Sequence, residues 1–555
     1  MVYRRPGQRR GRRGRVVPIS FAVLGVVVVL GAVFGVLHVR DQQRKSRERS
    51  HAEATAVAGR YLTAWGHGDV ATMAANATPD SAAALRQQVG TVLTDLHISS
   101  ATYLPGILRF QGDATAPFHA SVVVQGLGTW SYDGSLVLHR VDKHWKVAFT
   151  PESIYPELHA GDTLVRERKL GTRGQIRLAD GRPLRGLDGE LDGNMLGTVG
   201  PYTAALAKSA GPQFVAGDIG GLTGLERGYN AVLSGTPGGS LTLRSSTGAI
   251  LDTLISQPVR NGKDVTVSFD LNVQHAAESA LSGVPANLTG SLVAIDVTTG
   301  KVLAVANHPY NGYGRAIRGH YPPGSTFKII TTTAALLSGK SASTPLPCTP
   351  SITVGGRSFT NAEGESYGTI SLATAFAKSC NTAFISLETS LPKGALGRAA
   401  ALFGFSDKPA GTDTATSGPL PLTSFGGSVP PPTDATDGAA EAIGQGRIVT
   451  SPLQMASVAA AVASGTWRQP YVSATAPANN PQHAIPANVV ATLRDLMGQV
   501  VSYGTAAHSG LPAGTRGKTG TAEVGTKNPP DTVAWFVGYR GTIAFACQVG
   551  DSGAS

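Results

Sequence analysis

Apolar positions are laid out differently in successive parts of the chain. Residues 16–39 form a 24-residue run with no Asp, Glu, Lys or Arg, long enough to cross a bilayer as one helix. From 52 to 75 the apolar residues return at helical spacing around Tyr61, Leu62 and Trp65. Alternation at 121–124, 134–140 and 145–149 predicts strands, with Asp133-Gly134 as a hairpin turn between two of them. This gives a small α+β unit at 50–158. Residues 161–262 read as extended and glycine-rich. At 264 a new unit begins, with a helix over 272–281 and strands at 291–296 and 302–306 joined by a Thr299-Gly300 turn. Pro322, Pro323 and Gly324 cannot continue a helix from upstream, whereas the Ala/Leu-rich run 329–337 can form one, so a helix should start close to Ser325.

At 555 residues the chain has room for several domains. Its net charge of +11 is concentrated at the start, where residues 1–49 hold twelve Arg or Lys against Asp41 and Glu48. The remainder is nearly neutral, which argues against a nucleic-acid-binding body. Seven arginines precede the apolar run, and the positive-inside rule keeps them in the cytoplasm. The expected layout is therefore a basic tail (1–15), a single-pass anchor in the cell membrane (16–39) and an extracytoplasmic remainder. Cys348, Cys380 and Cys547 lie far apart, with no C-x-x-C and no His pair nearby. They predict neither a disulfide framework nor a zinc site; a single isolated disulfide stays open, and at least one thiol stays unpaired within the chain.

Three short motifs carry the chemistry. Ser325 and Lys328 sit one helical turn apart, which places a hydroxyl and an amine on one face at a helix N-terminus. A lysine held out of water there can lose its proton and act as base to the serine. Ser379-Cys380-Asn381 offers a hydroxyl and an amide to one cleft from a single loop, one able to relay a proton and the other to hold a substrate amide. Lys518-Thr519-Gly520-Thr521, on an edge strand, would line the cleft with a cation and hydroxyls suited to a carboxylate, while Gly520 admits a substrate backbone. Each motif arises often by chance. Their order and spacing do not.

S-x-x-K, S-x-N and K-T-G in this sequence resemble the signature of the penicillin-recognising serine acyl transferases. The stretch from Tyr321 to Lys328 is similar to the form found in class B penicillin-binding proteins, as are Gly444–Ala456 and Ala534–Tyr539. Residues 145–158 resemble the end of the nuclear-transport-factor-like extension of the methicillin-resistance type, and 161–262 resembles the family's pedestal, or dimerisation, domain. The resemblance implies a multidomain α+β protein whose transpeptidase domain (264–555) has a five-stranded antiparallel sheet flanked by helices.

It also implies roles. Ser325 would be acylated by a peptidoglycan stem peptide ending in D-Ala-D-Ala, Lys328 would take its proton, and Ser379 would return one to the departing D-alanine. Asn381 would bind the stem amide or orient Lys328. The N–H groups of Ser325 and Thr521 would form the oxyanion hole, and Lys518, Thr519 and Thr521 would sit at the substrate carboxylate. β-Lactams would trap Ser325. No cofactor or metal is implied. Nothing between the anchor and 161 is long or acid-rich enough for a glycosyltransferase, so glycan polymerisation would fall to a partner. Two alternatives stay open: a D,D-carboxypeptidase or β-lactamase, which use water as acceptor, and a β-lactam sensor that does not transpeptidate. Cys380 has no His placed by sequence to activate it and is not read as a nucleophile.

The sequence departs from the family in two places. It stops at Asp551–Ser555, too soon for the usual terminal helix, so the final sheet face should be less covered. The Pro/Gly/Thr-rich stretch 405–437 reads as a surface loop, with a mobile lid as the alternative.

Overall fold

The computed structural model describes residues 19–310, 312–407, 421–525 and 530–550, with side chains from residue 33 onward. The basic tail, the first three residues of the apolar run, and Asp551–Ser555 lie outside the described residues. The chain forms two compact units, one of residues 1–168 with 239–257, the other of 169–238 with 258–555.

In the first unit, helix α1 (Ile19–Gly66) contributes Ala54, Val57, Ala58, Tyr61, Leu62 and Trp65 to the core, the predicted helical spacing. Helix α2 (Val70–Ala75) starts where the Asp69 side chain caps the Thr72 N–H, and α3 (Ala82–Asp95) follows. An antiparallel sheet in the order β1 (Ile98–Pro105), β3 (Asp113–Val124), β4 (Gly128–Val141), β5 (His144–Val147) covers them, with β2 (Arg109–Gln111) on β3. Trp65 stacks on Tyr103 at 4.1 Å and meets Phe118 edge-on. A second sheet of β6 (Thr163–Lys169), β7 (Gly238–Arg244) and β8 (Ile250–Gln257) adds Leu241 and Leu243 to the same core.

The Asp133-Gly134 turn does not form. Gly134 lies in the middle of β4, opposite Phe118, and a Cβ there would fall 2.4 Å from the Phe118 ring. The glycine makes room for an aromatic ring across the sheet, and the actual turn is at 125–127. No helix among the described residues is long and apolar enough to cross a membrane.

The second unit holds a five-stranded antiparallel sheet in the order β10 (Val302–His308), β9 (Thr289–Asp296), β13 (Ile543–Gly550), β12 (Asp531–Arg540), β11 (Arg516–Val524). Helix α4 (Leu271–Leu281), capped by Asp270, lies over Ala294, Ala304 and Ala306 on one face. The other face, with Val293, Val305, Val537 and Ala546, joins the main core, where α10 (Pro452–Ser464) is buried along nearly its whole length. Both faces follow from the two-residue alternation of the strands. On the α4 side Phe536 and Phe545 stack at 5.8 Å and remain half-buried.

Residues 405–437 are not simply a surface loop. Residues 408–420 lie outside the described residues, but Leu422, Phe425 and Val429 are buried, Ser428 pairs with Ser406 and Val449, and Ala435–Glu441 is a helix capped by Asp434. Apolar residues spaced irregularly between glycines and prolines carry no periodic signal, although here they fill the core.

Candidate active site

Ser325 lies on a 3-10 turn, Gly324–Phe327, and the α-helix α5 (Lys328–Leu337) begins only at Lys328. The expected helix is therefore present with a tighter first turn. Its entry is enforced by close backbone packing. Gly324 has φ 52°, and a Cβ on it would lie 2.5 Å from the Thr521 carbonyl oxygen. A Cβ on Gly520 would fall 2.8 Å from the Thr326 methyl. Glycines at both points let the Ser325 turn lie directly on edge strand β11. The Trp535 indole N–H donates to the Pro322 carbonyl at 3.1 Å and ties the same turn to β12.

The second motif falls between α6 (Leu372–Ala377) and α7 (Asn381–Thr389). Ser379 adopts φ 57°, a left-handed conformation that costs a non-glycine residue about 1–3 kcal/mol. That conformation turns both its carbonyl and its hydroxyl toward Lys328. The Lys328 amine lies 2.7 Å from the Ser379 carbonyl oxygen, 2.7 Å from Asn381 Oδ1, 2.9 Å from Ser325 Oγ and 3.3 Å from Ser379 Oγ. Lys518 reaches the same hydroxyl at 2.9 Å and its own strand at the Thr519 carbonyl at 3.0 Å.

The donors and acceptors fix the proton arrangement. Both lysines are completely buried. Burial, and then repulsion by Lys518, hold the Lys328 amine well below the usual lysine range, while burial alone brings Lys518 down to about 7. The Ser379 carbonyl and Asn381 Oδ1 can only accept. The Asn381 amide is oriented by its Nδ2, which donates to the Thr360 carbonyl at 3.0 Å. A neutral Lys328 amine therefore spends its two N–H groups on those acceptors, and its lone pair faces the Ser325 hydroxyl. This is the arrangement of a base hydrogen-bonded to its nucleophile. Each amine rests against an aromatic face, Lys328 over Phe384 at 5.3 Å and Lys518 over Phe376 at 5.7 Å.

All eight residues singled out in the sequence lie on the elements that meet here. Ser325, Lys328, Ser379, Asn381 and Lys518 form one hydrogen-bonded group. Thr519, Gly520 and Thr521 continue along β11, where the Thr519 hydroxyl bonds to that of Thr505 and the Thr521 side chain is exposed. Among the described residues no three His, Cys, Asp or Glu side chains are grouped as a metal site.

Two features escaped the sequence reading. Cys348 and Cys380 form a disulfide, with Cα atoms 6.2 Å apart, so the expectation of no disulfide framework is corrected and Cys547 alone stays free. The two cysteines are 32 residues apart, and only the fold brings the strand Pro345–Cys348 against the start of α7. The bridge anchors the residue between Ser379 and Asn381. Beside it, buried Asn361 donates to the carbonyls of Thr349 (2.8 Å) and Glu365 (2.7 Å) and accepts from the Thr382 N–H (3.0 Å). A lone Asn twenty residues from the motif gives no local signal of this.

The sequence pattern of the "Penicillin binding protein transpeptidase domain" matches residues 290–551, that of the "Penicillin-binding Protein dimerisation domain" 185–267, and that of the "NTF2-like N-terminal transpeptidase domain" 53–162. Among curated proteins, peptidoglycan D,D-transpeptidase PbpA of Mycolicibacterium smegmatis is 33% identical over 385 residues, covering 60% of this chain and 75% of the relative. PbpA of Mycobacterium tuberculosis is 30% identical over 370 residues, covering 57% and 71%. Among solved structures, Pseudomonas aeruginosa PBP2 in complex with WCK 5153 aligns with a TM-score of 0.55 at 24% identity, covering 69% of this chain and 92% of that one. M. tuberculosis PBP3 complexed with aztreonam aligns with a TM-score of 0.54 at 21% identity, covering 70% and 91%. These structural likenesses speak to the fold, and the curated relatives to descent. With its three motifs folded onto one cleft and the matching domains in the same order, the chain belongs to the class B penicillin-binding proteins that carry an NTF2-like N-terminal domain.

Proposed function

We propose that the chain is a peptidoglycan D,D-transpeptidase that cross-links stem peptides through an ester on Ser325. The observation that carries this reading is the buried Lys328 amine, held 2.7 Å from the Ser379 carbonyl oxygen and from Asn381 Oδ1 and 2.9 Å from Ser325 Oγ. In the first step Ser325 Oγ bonds to the carbonyl carbon between the two D-alanines, and its proton moves to Lys328. The C–N bond breaks, and the proton that Lys328 took from Ser325 passes through the Ser379 hydroxyl to the departing amine of D-alanine. In the second step an amine of a neighbouring stem attacks the ester, and Ser325 recovers a proton as it leaves. The N–H groups of Ser325 and Thr521 serve as the oxyanion hole, and Lys518, Thr519 and Thr521 hold the donor carboxylate.

The relatives named D,D-transpeptidases support this activity. β-Lactam acylation of Ser325 follows from the same chemistry, because the ring-opened acyl group stays attached and blocks the acceptor. The apolar run 16–39 is the membrane anchor in this reading, with the folded units outside the cytoplasm. The Cys348–Cys380 disulfide supports that placement, since such bonds persist in oxidising compartments. Glycan polymerisation belongs to a separate glycosyltransferase. A structural neighbour described as coordinating polymerization and crosslinking in a peptidoglycan synthase complex supports such a partner (TM-score 0.57, 23% identity, 71% of this chain and 89% of that one).

Mass spectrometry of the full chain after benzylpenicillin tests the reading. A stable adduct on Ser325, absent from Ser325→Ala, together with cross-linked product from donor and acceptor stem peptides, is the expected result. Rapid turnover of penicillin or release of D-alanine without cross-linking would move the assignment to a β-lactamase or carboxypeptidase. An adduct with no reaction on stem peptides would move it to a sensor.

A further inference from the structure

A second cavity in the same unit, of about 660 Å3, lies among α7, the helix α8 (Ala395–Leu402), the segment 429–432 and the helix α9 (Ala435–Glu441). Leu396, Ala400, Phe405, Val429 and Pro431 give it an apolar wall. Among the acidic residues of the lining, Glu388 and Glu441 break that wall from α7 and α9. Glu441 is fully buried, and neither of its carboxyl oxygens has a hydrogen-bond partner. One turn before Glu441 on α9, a Cβ on Gly438 would lie 3.4 Å from Glu388 Oε1, so the Glu388 carboxyl of α7 lies beside that turn of α9.

The charged groups around Glu441 do not satisfy it. Arg447 lies 3.6 Å away, outside hydrogen-bond reach, and its guanidinium is committed to Asp437 at 2.7 Å and to the Pro431 carbonyl. Burial and the neighbouring Asp437, against the opposing Arg447, push the Glu441 carboxyl up to about 8, with Glu388 adding further repulsion. Burial raises Glu388 as well. Lys393, Arg398 and Asp407 also line the cavity, and Arg398 donates to the Lys393 carbonyl. A buried carboxyl without partners is expensive, and nothing in the transpeptidase mechanism uses it.

We propose that this cavity binds a small amphiphile with an aliphatic body and a primary ammonium head, the head seated between Glu441 and Glu388. The apolar wall takes the aliphatic body, and the carboxyl oxygens of Glu441, which make no hydrogen bond, accept the N–H donors of the head beside Glu388. A hard divalent cation needs six or more oxygens, which this wall does not supply. The site is separate from Ser325 but lies behind its turn. The Glu441 carbonyl accepts from the Gly444 N–H at 3.0 Å, and the Gly444 carbonyl accepts from the Gly324 N–H at 2.9 Å.

The test is a ligand-observed NMR titration of the full chain with n-hexylammonium, using hexan-1-ol and hexanoate as controls. Saturable binding of the ammonium is expected, with both controls at least about tenfold weaker, since they lack a donor charge for the acid pair. Glu441→Gln, close in shape to the native residue, should weaken binding roughly 30-fold, as removing one member of a buried charge pair does. Because the ammonium binds the ionised acid, wild-type affinity should rise from about pH 6.5 to about pH 8.5, and the rise should disappear in the variant. Ala401→Phe, at an exposed position of the lining on α8, should block the cavity with the thermal midpoint unchanged. Equal binding of hexan-1-ol, unchanged affinity in Glu441→Gln, or no saturable binding of the ammonium to the wild-type chain would each overturn the proposal.

Discussion

Among the described residues the first unit buries no charged side chain; its buried polar groups are hydroxyls such as Thr78 and Ser153. The second unit buries Glu190, Asp218, Glu226, Arg315, Lys328, Glu441 and Lys518. In the first, aromatic rings close over one another, as Trp65 does on Tyr103 and Phe118, and a glycine clears space for a ring. In the second, glycines clear space for backbone to reach backbone beside a buried amine. The second core carries the desolvation of two lysine amines, which holds both below the usual lysine range.

The largest effect that could break this contrast is catalytic. Lys328→Met should slow acylation of Ser325 by benzylpenicillin about a thousandfold, while the thermal midpoint stays level or rises, because an apolar chain replaces a buried amine. A variant that acylated normally would remove Lys328 from the mechanism. The converse experiment is Trp65→Ala, which should destabilise the first unit by about 4 kcal/mol, read by urea unfolding, with the Ser325 acylation rate intact at low denaturant. A parallel loss of acylation would mean that the two cores are not independent.

Cys348→Ser sharpens the comparison within the second unit. Opening the loop between Cys348 and Cys380 should cost about 3 kcal/mol in urea unfolding, and it should also slow acylation, because the bridge holds the residue between Ser379 and Asn381. Stability lost with acylation untouched would make the disulfide a brace only.

The most gradual effect is one of pH. Lys518 is held at about 7 in the folded chain against an ordinary value of 10.5. Between those values the unfolded chain binds a proton that the folded chain does not, so stability rises with pH through that window and falls as pH drops toward 7. The slope is at most ~1.4 kcal/mol per pH unit for one group. Urea midpoints of the wild-type chain and Lys518→Met, compared from neutral to alkaline pH, should show a flatter profile in the variant.

Local patterns announced most of what surrounds the site. The helix of the last unit appears at Leu271–Leu281 where its periodicity put it over 272–281, and the Thr299-Gly300 turn joins the two strands it was expected to join. Lys518 to Thr521 lie on an edge strand, as a glycine flanked by hydroxyls suggested. The reading failed where a residue's meaning came from across the fold. Gly134 looked like a turn because glycine usually marks one, but Phe118 sits over it. The segment around Leu422, Phe425 and Val429 looked like loop because its apolar residues have no period, yet it is packed inside.

The sequence by itself determined which groups can react. Ser325 and Lys328 are one turn apart in the chain, so local backbone geometry alone puts hydroxyl and amine together. Tertiary structure decided the state in which they meet. The acceptors that take up both N–H groups of Lys328 come from 51 and 53 residues away, and the Lys518 amine reaches Ser379 across 139 residues. The left-handed turn at Ser379, the disulfide beside it and the exclusion of water from both amines arise only once those segments pack together. A chain of residue types specifies donors and acceptors, but a pKa depends on what surrounds a group in space, and that exists only in the fold.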